Sequence, residues 1–567
     1  MTTTANSAIG RQGRLYYETC IPASLLIFAA WAYGVKRGGE SWSFSAVAIC
    51  LAINSLWQQR PRRFSGIGPQ LEEKIRAGAD DGMVWGVLLV PLIVFVKYLD
   101  IAHGSAFSEH IAISLAMSMT VSIFTRSEYI GVKMVFRDIG IWVFGIGALG
   151  YGMPAYTGLV WKYVLLLIIC SLSFFLTAKT VYAFPGGFTL GEAAVAVQTL
   201  NLALVDVPGR IFAKGSSVEA VLLEVAVLGL VVLVAVLFYA SKQRHRIKRA
   251  FEPAAFSSIV LVYLWLAVLV VNFAIRENLL IWAFKKAFLD STANLLLIGY
   301  WVCALSISAL LYLATGSAKS APAQSKFWLH VRRKSYHALA TLLFTPGILF
   351  ASQLLHLGFT AALIVFVFVE CLRAFDVYPL ASVIDQFLRR FTDHRDSGLV
   401  ITSHFYLLLG CALPVWLGGS SDIAKLSGVL TLGVADTAAS LVGTRFGRRK
   451  WPGSPKTLEG SAAFAASLCA AAGLVLFAMV DGQSMGNVLL LFALCIGLAV
   501  LEALTEQNDN LVVPLSMYAA VHVFLSDKAR IHAVPALMAT VAWAAPSVSS
   551  SAGSSIVTRH LRQFKKI

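Results

Sequence analysis

Apolar runs of membrane-spanning length follow one another along almost the whole chain, from residue 20 to residue 547. A helix needs about 20 apolar residues to cross a bilayer, and shorter runs suffice when anchoring residues flank them. Only 13% of the 567 residues are charged, about half of the usual share in soluble proteins. The sequence therefore predicts an all-α, polytopic integral membrane protein.

The predicted transmembrane helices number roughly 15 to 18, because several runs are short and one of them contains Glu192 and Gln198. We divide the chain into an N-terminal tail (1–19), a multi-spanning region of unassigned role (20–314), a multi-spanning catalytic region (315–547) and a basic tail (548–567). The predicted spans are 20–35, 42–57, 82–99, 111–125, 139–152, 159–178, 186–205, 217–240, 254–275, 292–314, 336–356, 359–375, 399–418, 426–442, 460–480, 485–503, 511–525 and 532–547.

Basic segments indicate one consistent orientation. When the loop 58–81 is placed in the cytoplasm, counting spans forward puts every other basic segment except Lys36 and Arg37 on the same side. Cytoplasmic loops of membrane proteins are enriched in Lys and Arg. The net charge of +16 is thus explained by topology, and we expect no nucleic-acid partner. The cytoplasmic segments are 58–81, 242–249, 326–334, 389–395, 445–456 and 559–566.

The densest polar segment is DTAASLVGTRFGRRKWPGSPKTLEGS at 436–461, with five cations and two acids. Charge beside lipid costs several kcal/mol per group, so such a segment usually marks a functional site. Glycines let the backbone approach a phosphate, and cations hold it. An ordinary cytoplasmic loop with a helix cap is the alternative. The candidate nucleotide-binding residues are Gly443, Arg445, Gly447, Arg448, Arg449, Lys450, Gly453, Lys456, Thr457, Glu459 and Gly460.

Acidic residues in three segments are candidates for metal binding and acid–base chemistry. Asp436 stands at a predicted membrane–water boundary, where a carboxylate can hold Mg²⁺. Asp396 precedes an apolar span, and Glu502 stands near a cytoplasmic helix end. A solvated turn with local ion pairs is the alternative for Asp396, and an ordinary interfacial acid is the alternative for Glu502. We also expect Thr457 to cap the next helix, with Glu459 near its positive end.

Two further charged groups have simpler explanations. In VRRKSYH at 331–337, Lys334 and His337 are expected to anchor a span at the level of the lipid headgroups. Glu370 and Arg373 are three residues apart in an apolar run, and we expect them to pair with each other.

Three of these polar segments resemble the dolichol kinases, the CTP-dependent polyprenol kinases of the endoplasmic reticulum. The matching runs are DHRDSGLVITSHFYLLLGCALPVWL at 393–417, GVADTAASLVGTRFGRRKWPGSPKTLEGS at 433–461 and LEALTEQNDNLVVPL at 501–515. Their order and spacing agree over about the C-terminal 240 residues, whereas the first 300 residues are similar only in having many spans.

The resemblance implies transfer of the γ-phosphate of CTP to the terminal hydroxyl of dolichol, which yields dolichyl phosphate and CDP. It implies an active site on the cytoplasmic face of the endoplasmic reticulum membrane. The stretch 445–460 would bind CTP, with Lys456, Arg448 and Arg449 on its phosphates. The family usually shows two lysines before the threonine, but Pro455 precedes Lys456 here, so one contact is lost or moved to Lys450.

For such a reaction we hypothesise roles for the remaining candidates. Mg²⁺ would be held by Asp436, with Glu459 or Glu502 as a further ligand. Asp396 would orient or deprotonate the dolichol hydroxyl, and Arg395 would steady the transferring group.

Three other functions stay open from the sequence. A CTP-dependent cytidylyltransferase attacks the α-phosphate and releases pyrophosphate, and a phytol-kinase-like enzyme phosphorylates another isoprenoid alcohol. A transporter would use the charged residues as a substrate path. Transporters are expected to show paired broken helices in two similar halves, and no such duplication is evident in this sequence.

Overall fold

The computed structural model consists of packed α-helices. It describes residues 18–34, 41–57, 74–76, 82–100, 106–130, 143, 146, 149, 159–212, 217–246, 253–316, 326–388, 398–419, 421–479 and 485–525. Within these residues there is no β-strand, only an isolated antiparallel bridge between Lys450 and Thr457. The all-α class predicted from the sequence is therefore confirmed.

The described helices are numbered here in chain order. They are α1 (18–34), α2 (Ser41–Trp57), α3 (Met83–Asp100), α4 (Ala106–Ile130), α5 (Leu159–Ala183), α6 (Leu190–Phe212), α7 (Val218–Arg246), α8 (Pro253–Ile275), α9 (Leu279–Phe284), α10 (Thr292–Gly316), α11 (Lys326–Phe350), α12 (Ser352–Ala374), α13 (Leu380–Leu388), α14 (Ser403–Leu417), α15 (Asp422–Lys425), α16 (Asp436–Phe446), α17 (Leu458–Met479), α18 (Met485–Leu504) and α19 (Asp509–Ala520). Three π-helical segments complete them, at Lys285–Leu289, Val429–Ala435 and Val521–Leu525.

Seven of the described helices are long and apolar enough to cross a membrane, and five shorter apolar helices accompany them. These helices confirm a polytopic membrane protein. The predicted spans 139–152 and 532–547 lie outside the described residues, apart from residues 143, 146 and 149. The basic tail 548–567 and nearly all of the N-terminal tail lie outside them as well.

Some predicted spans differ in their bounds from the observed helices. The runs 336–356 and 359–375 correspond to α11, which begins ten residues earlier at Lys326 and ends at Phe350, and to α12, which already begins at Ser352. The polar first turns of α11 were not counted because hydropathy detects only the apolar part of a helix. The run 426–442 is helical from residue 427 onward, but Val429–Ala435 within it is a π-helical segment that leads directly into α16.

Helices from both ends of the chain share one core. α3 packs against α4 and α6 in the N-terminal region, and α14 packs against α19 in the C-terminal region. α19 also contacts α3, and α12 contacts α7, so the two regions touch along several helices. Phe95 of α3 and Tyr518 of α19 are fully buried. The catalytic region predicted from the sequence is thus built against the N-terminal helices.

Outward-facing side chains of α8 and α10 are large and apolar. Leu261, Trp265, Leu296 and Leu310 are among the exposed ones. An exposed apolar surface of this extent is expected of helices that face lipid.

Candidate active site

Asp436 is the first residue of α16 and directly follows the π-helical segment Val429–Ala435. Its carboxylate accepts a charged hydrogen bond from Nζ of Lys334 and lies 3.3 Å from Nδ1 of His337, both on α11. His337 Nδ1 also lies 3.0 Å from the carbonyl oxygen of Leu432. A carbonyl only accepts hydrogen bonds, so we assign the imidazole proton to Nδ1. Lys334 and His337 therefore belong to the Asp436 site, whereas the sequence suggested only headgroup anchoring.

Gly433 allows α11 to come this close. A Cβ atom at Gly433 would lie 1.8 Å from Oγ1 of Thr341, which is far inside van der Waals contact. Thr341 is one helical turn beyond His337 and two turns beyond Lys334 on α11. The absence of a side chain in the π-helical segment thus lets both residues reach Asp436. Single-turn π-helices are frequent at functional sites.

Lys456 forms the second half of the site. Its Nζ donates to Oε1 of Glu502 at 2.5 Å, to the carbonyl oxygen of Glu502 at 2.6 Å and to Oδ2 of Asp509 at 2.9 Å. An ammonium group has three donors, so all of them are used. Burial alone would lower the pKa of Lys456, but Glu502 and Asp509 outweigh it and hold that pKa above its usual value. Lys456 is therefore a cation at every physiological pH.

The two halves form one electrostatic site. The carboxylates of Asp436, Glu502 and Asp509 are close enough to act on one another, and Asp509 also acts on His337. The ammonium group of Lys334 pairs with Asp436, and that of Lys456 pairs with Glu502 and Asp509. We call these six residues the lysine–carboxylate cluster. Four different parts of the chain contribute to it: α11, the start of α16, the loop before α17, and the junction of α18 with α19.

The basic loop before α17 is an ordered hairpin. The amide of Trp451 donates to the carbonyl of Lys456 at 3.0 Å, and the amide of Leu458 donates to the carbonyl of Arg449 at 2.8 Å. Gly453 at the tip has a φ of 73°, which favours glycine. Ser454 Oγ donates to the carbonyl of Ala503 at 2.8 Å and so fastens the hairpin to the last turn of α18. The hairpin therefore holds Lys456 rigidly beside Glu502.

Most of the predicted nucleotide-binding cations are exposed, three of them in this hairpin and Arg445 in the last turn of α16. The side chains of Arg445, Arg448, Arg449 and Lys450 are exposed, whereas that of Lys456 is only 23% exposed. Exposed cations next to a buried one are suited to attract and hold a polyphosphate. The predicted cations are thus near one another in the chain, and Lys456 is the least exposed of them.

Glu459 has a local role in the hairpin. Its carboxylate accepts hydrogen bonds from the amides of Arg448 at 3.1 Å and Arg449 at 3.2 Å. Thr457 Oγ1 accepts from the amide of Gly460 at 3.2 Å, which confirms that Thr457 caps α17. The role of Glu459 as a metal ligand stays a prediction. Asp509, which was not among the predicted site residues, lies inside the lysine–carboxylate cluster.

Three of the predicted glycines pack helices together. A Cβ atom would lie 3.0 Å from Thr457 Oγ1 at both Gly443 and Gly460, and 2.2 Å from the carbonyl oxygen of Gly443 at Gly447. They let the end of α16 cross closely over the start of α17. The predicted contact of these glycines with phosphates stays a prediction.

The segment 398–401 is held by an ion pair on α12. Glu370 and Arg373 pair at 2.5 Å, as expected from their spacing. Arg373 donates to the carbonyl of Leu399 at 2.6 Å, and Glu370 accepts from the amide of Ile401 at 2.8 Å. Arg395 and Asp396, the predicted groups for the acceptor hydroxyl, lie outside the described residues.

Comparison with known proteins decides the family. The sequence model described as "Dolichol kinase" matches residues 7–444, which is more than half of the chain. The chain belongs to the dolichol kinase family. The human dolichol kinase is 28% identical over 501 residues, which cover 83% of this chain and 91% of the relative. No solved structure matches this chain.

Relatives in plants and fungi are similar over a shorter stretch. The dolichol kinase EVAN of Arabidopsis thaliana is 37% identical over 255 residues, 43% of each chain. The dolichol kinase sec59 of Schizosaccharomyces pombe is 34% identical over 251 residues, 42% of this chain and 49% of the relative. The similarity to the dolichol kinase family also includes the N-terminal region, because the family match begins at residue 7. It is thus wider than the C-terminal stretch that the sequence motifs indicated.

Proposed function

We propose that this membrane protein is a dolichol kinase that transfers the γ-phosphate of CTP to the terminal hydroxyl of dolichol, giving dolichyl phosphate and CDP. The observation that carries the proposal is the lysine–carboxylate cluster, in which Lys334 and Lys456 each hold an acid from a distant part of the chain. Phosphoryl transfer needs positioned cations and neutralised charge more than covalent chemistry. The cluster, bordered by the basic hairpin, supplies both.

The phosphates would enter where the two lysines now meet carboxylates. Lys456 is held on three acceptors by a rigid hairpin, so its ammonium is in place before any ligand arrives. It exchanges a carboxylate oxygen for a phosphate oxygen with little movement of the backbone. Arg448 and Arg449 at the surface of the hairpin would hold the outer phosphate oxygens, and Lys450 takes the contact that Pro455 has displaced. Preorganised cations of this kind favour transfer because they do not have to reorganise during the reaction.

A divalent cation, Mg²⁺ by preference, fits the same residues. Mg²⁺ is usually bound by one or two carboxylates together with substrate phosphates. Asp436, Glu502 and Asp509 supply such oxygen donors, and lysine ammonium groups already lie against them as cations. Among the described residues no three acidic, histidine or cysteine side chains are arranged to hold a metal by themselves. When bound, the metal would neutralise charge on the β- and γ-phosphates.

The acceptor side of the reaction rests on the segment before α14. We propose that Asp396 orients or deprotonates the dolichol hydroxyl and that Arg395 steadies the transferring group. In support, the backbone groups of Leu399 and Ile401, just beyond them, form hydrogen bonds with the Glu370–Arg373 pair. A lipid alcohol would reach this point laterally from the bilayer, since the neighbouring α12 is one of the helices able to cross a membrane.

We propose that the active site faces the cytoplasm from the membrane of the endoplasmic reticulum. The basic segments of the sequence support this orientation, because positive loops stay in the cytoplasm. CTP is a cytosolic nucleotide, and the basic hairpin lies on that same predicted side.

The test is transfer of label to lipid by the purified full-length protein in detergent with dolichol and Mg²⁺. CTP is supplied with label in either the γ- or the α-phosphate, and the lipid product is separated. The proposal expects label in dolichol from γ-labelled CTP alone. Label from α-labelled CTP alone would identify a cytidylyltransferase, and transfer to phytol in preference to dolichol would identify another isoprenoid kinase. If no lipid is labelled from either form, the kinase proposal is wrong and transport becomes the leading function.

A further inference from the structure

The N-terminal region reaches the lysine–carboxylate cluster through a buried polar network around Glu192. Thr189 and Glu192 form a reciprocal cap at the start of α6: Thr189 Oγ1 accepts from the amide of Glu192 at 3.1 Å, and Glu192 Oε2 accepts from the amide of Thr189 at 3.1 Å. This is the arrangement expected of a Thr-x-x-Glu sequence at a helix start. The cap explains why an acid stands in an otherwise apolar predicted span.

Glu192 has a second partner that fixes its position. The guanidinium of Arg76 donates to its two carboxylate oxygens at 3.0 and 2.9 Å. The two side chains are only 3% and 6% exposed. A two-point contact between planar groups constrains orientation as well as distance. The pair is therefore closed to ligands and rigid.

The third partner of Glu192 is in the catalytic region. The backbone amide of Asn508 donates to Glu192 Oε1 at 3.2 Å, and Thr189 Oγ1 donates to Oε1 of Gln507 at 2.7 Å. Thr505 Oγ1 donates to Oε1 of Glu18 at 2.7 Å. Every one of these contacts joins the turn 505–508 to a residue more than 300 positions earlier in the chain. The N-terminal region thus holds the turn between α18 and α19.

Close backbone packing makes this junction stiff. A Cβ atom at Gly191 would lie 1.8 Å from the carbonyl oxygen of Gly82, so the start of α6 touches the backbone before α3. Gly82 itself has a φ of 66°, and a Cβ atom there would lie 2.3 Å from Oε1 of Gln507. Neither glycine can be replaced without moving the turn or its support.

The turn carries two acids of the active site. Glu502 lies in the last turn of α18, and Asp509 is the first residue of α19, which is capped by the side chain of Asn508. Both acids contact Nζ of Lys456. A continuous series of contacts therefore runs from Arg76 through Glu192 and the amide of Asn508 to Asp509.

We propose that Arg76, Glu192 and Thr189 of the N-terminal region are positioning residues, which fix the turn 505–508 so that Asp509 and Glu502 present Lys456 to the nucleotide phosphates. This inference rests on the proposed function for the identity of the ligand, but not for the contacts themselves. It assigns the helices before residue 314 a part in catalysis. A displacement of about 1 Å at such a site lowers activity by as much as a hundredfold.

The experiment measures two properties of the full-length protein. Hydrogen exchange of peptides covering 505–510 is followed without substrates, and KM values for CTP and dolichol are determined separately. The variants are Glu192→Gln, Thr189→Val and the conservative Arg76→Lys. Asp206→Asn is the matched control, because Asp206 is an acid of the same helix that pairs with His110 and stands 14 residues after Glu192. Thermal unfolding in detergent shows which variants fold.

We expect Glu192→Gln and Thr189→Val to speed exchange at 505–510 and to raise KM for CTP about tenfold, with KM for dolichol unchanged. Arg76→Lys should give an intermediate KM because it keeps the charge but loses the two-point contact. Asp206→Asn should have the hydrogen exchange at 505–510 and the KM values of the wild type. If Glu192→Gln does not fold, the result for Thr189→Val decides the test, because this substitution leaves no buried charge without a partner.

Wild-type exchange and wild-type KM for CTP in a folded variant would overturn the proposal. A lower kcat with both KM values unchanged would overturn it too, because that result indicates only a smaller fraction of active protein. If the wild type transfers no phosphate, the proposed function fails. Hydrogen exchange at 505–510 still decides whether the N-terminal residues hold the turn.

Discussion

The turn 505–508 separates two ionic clusters that are chemically alike and differ in their access to solvent. On one side, Lys456 meets Glu502 and Asp509 with side-chain exposures of 23%, 8% and 20%. On the other side, Arg76 meets Glu192 with exposures of 3% and 6%. Distances within the two clusters are similar, between 2.5 and 3.0 Å.

The difference in solvent exposure indicates different roles for the two ionic clusters. A partly open pair can exchange one partner for a ligand, so it is suited to binding phosphate or metal. A closed pair cannot reach a ligand, and its carboxylate is already saturated with donors from three parts of the chain. Buried ion pairs contribute little net stability but fix geometry, and removing one partner is strongly destabilising. We therefore assign chemistry to the open cluster and positioning to the closed one.

The largest effect is expected at Asp436 in the open cluster. Asp436→Asn keeps the shape of the side chain but removes the charge that faces Lys334 and His337. We expect kcat/KM for CTP to fall on the order of a hundredfold with the protein still folded. Asp290→Asn is the matched control, since Asp290 pairs with Lys286 and is half exposed. A folded Asp436→Asn protein with full turnover would contradict the role of Asp436.

A smaller effect is expected at the exposed face of the hairpin. The double variant Arg448→Gln/Arg449→Gln keeps the backbone amides that donate to Glu459, so the hairpin should stay intact. We expect KM for CTP to rise about fivefold and to depend less on salt than in the wild type, because exposed charges are screened. Steady-state kinetics at two ionic strengths measures both quantities. An unchanged KM at low salt would show that these arginines do not contact the nucleotide.

The smallest effect is expected at Glu459. Glu459→Gln keeps one acceptor oxygen for the amides of Arg448 and Arg449, so we expect kcat to change by less than about threefold. Measurement of kcat over a range of Mg²⁺ concentrations distinguishes an anchor from a metal ligand. A loss as large as that of Asp436→Asn, partly restored by high Mg²⁺, would place Glu459 among the metal ligands instead.

Sequence patterns predicted those parts of the molecule that depend on local chemistry. Hydropathy gave the helical membrane class, Thr457 was expected to cap α17, and the spacing of Glu370 and Arg373 predicted their pair. The motif residues Lys456 and Glu502 are in direct contact, although 46 residues separate them. The helical class, the cap and the Glu370–Arg373 pair follow from composition or spacing, whereas the contact of Lys456 with Glu502 was not predicted.

Contacts made by packing were not predictable in this way. Lys334 and His337 have the same local pattern as headgroup anchors, and only the close approach of α11 at Gly433 brings them to Asp436. The Thr189-x-x-Glu192 cap could have been recognised as a helix start, but its contact with the turn 505–508 joins residues 316 positions apart. Such pairs depend on how helices cross, which a single sequence does not show.

The most direct test of the account is the phosphoryl transfer rate of Lys456→Ala beside Lys285→Ala, with γ-labelled CTP and dolichol in one detergent. Both lysines donate to a carboxylate, but Lys285 pairs with Glu277 far along the chain from the site residues and is 58% exposed. We predict a loss of about a hundredfold or more in kcat/KM for Lys456→Ala and less than about twofold for Lys285→Ala, with both proteins folded. Equal activity of the two folded variants would contradict the assignment of the lysine–carboxylate cluster as the phosphate site.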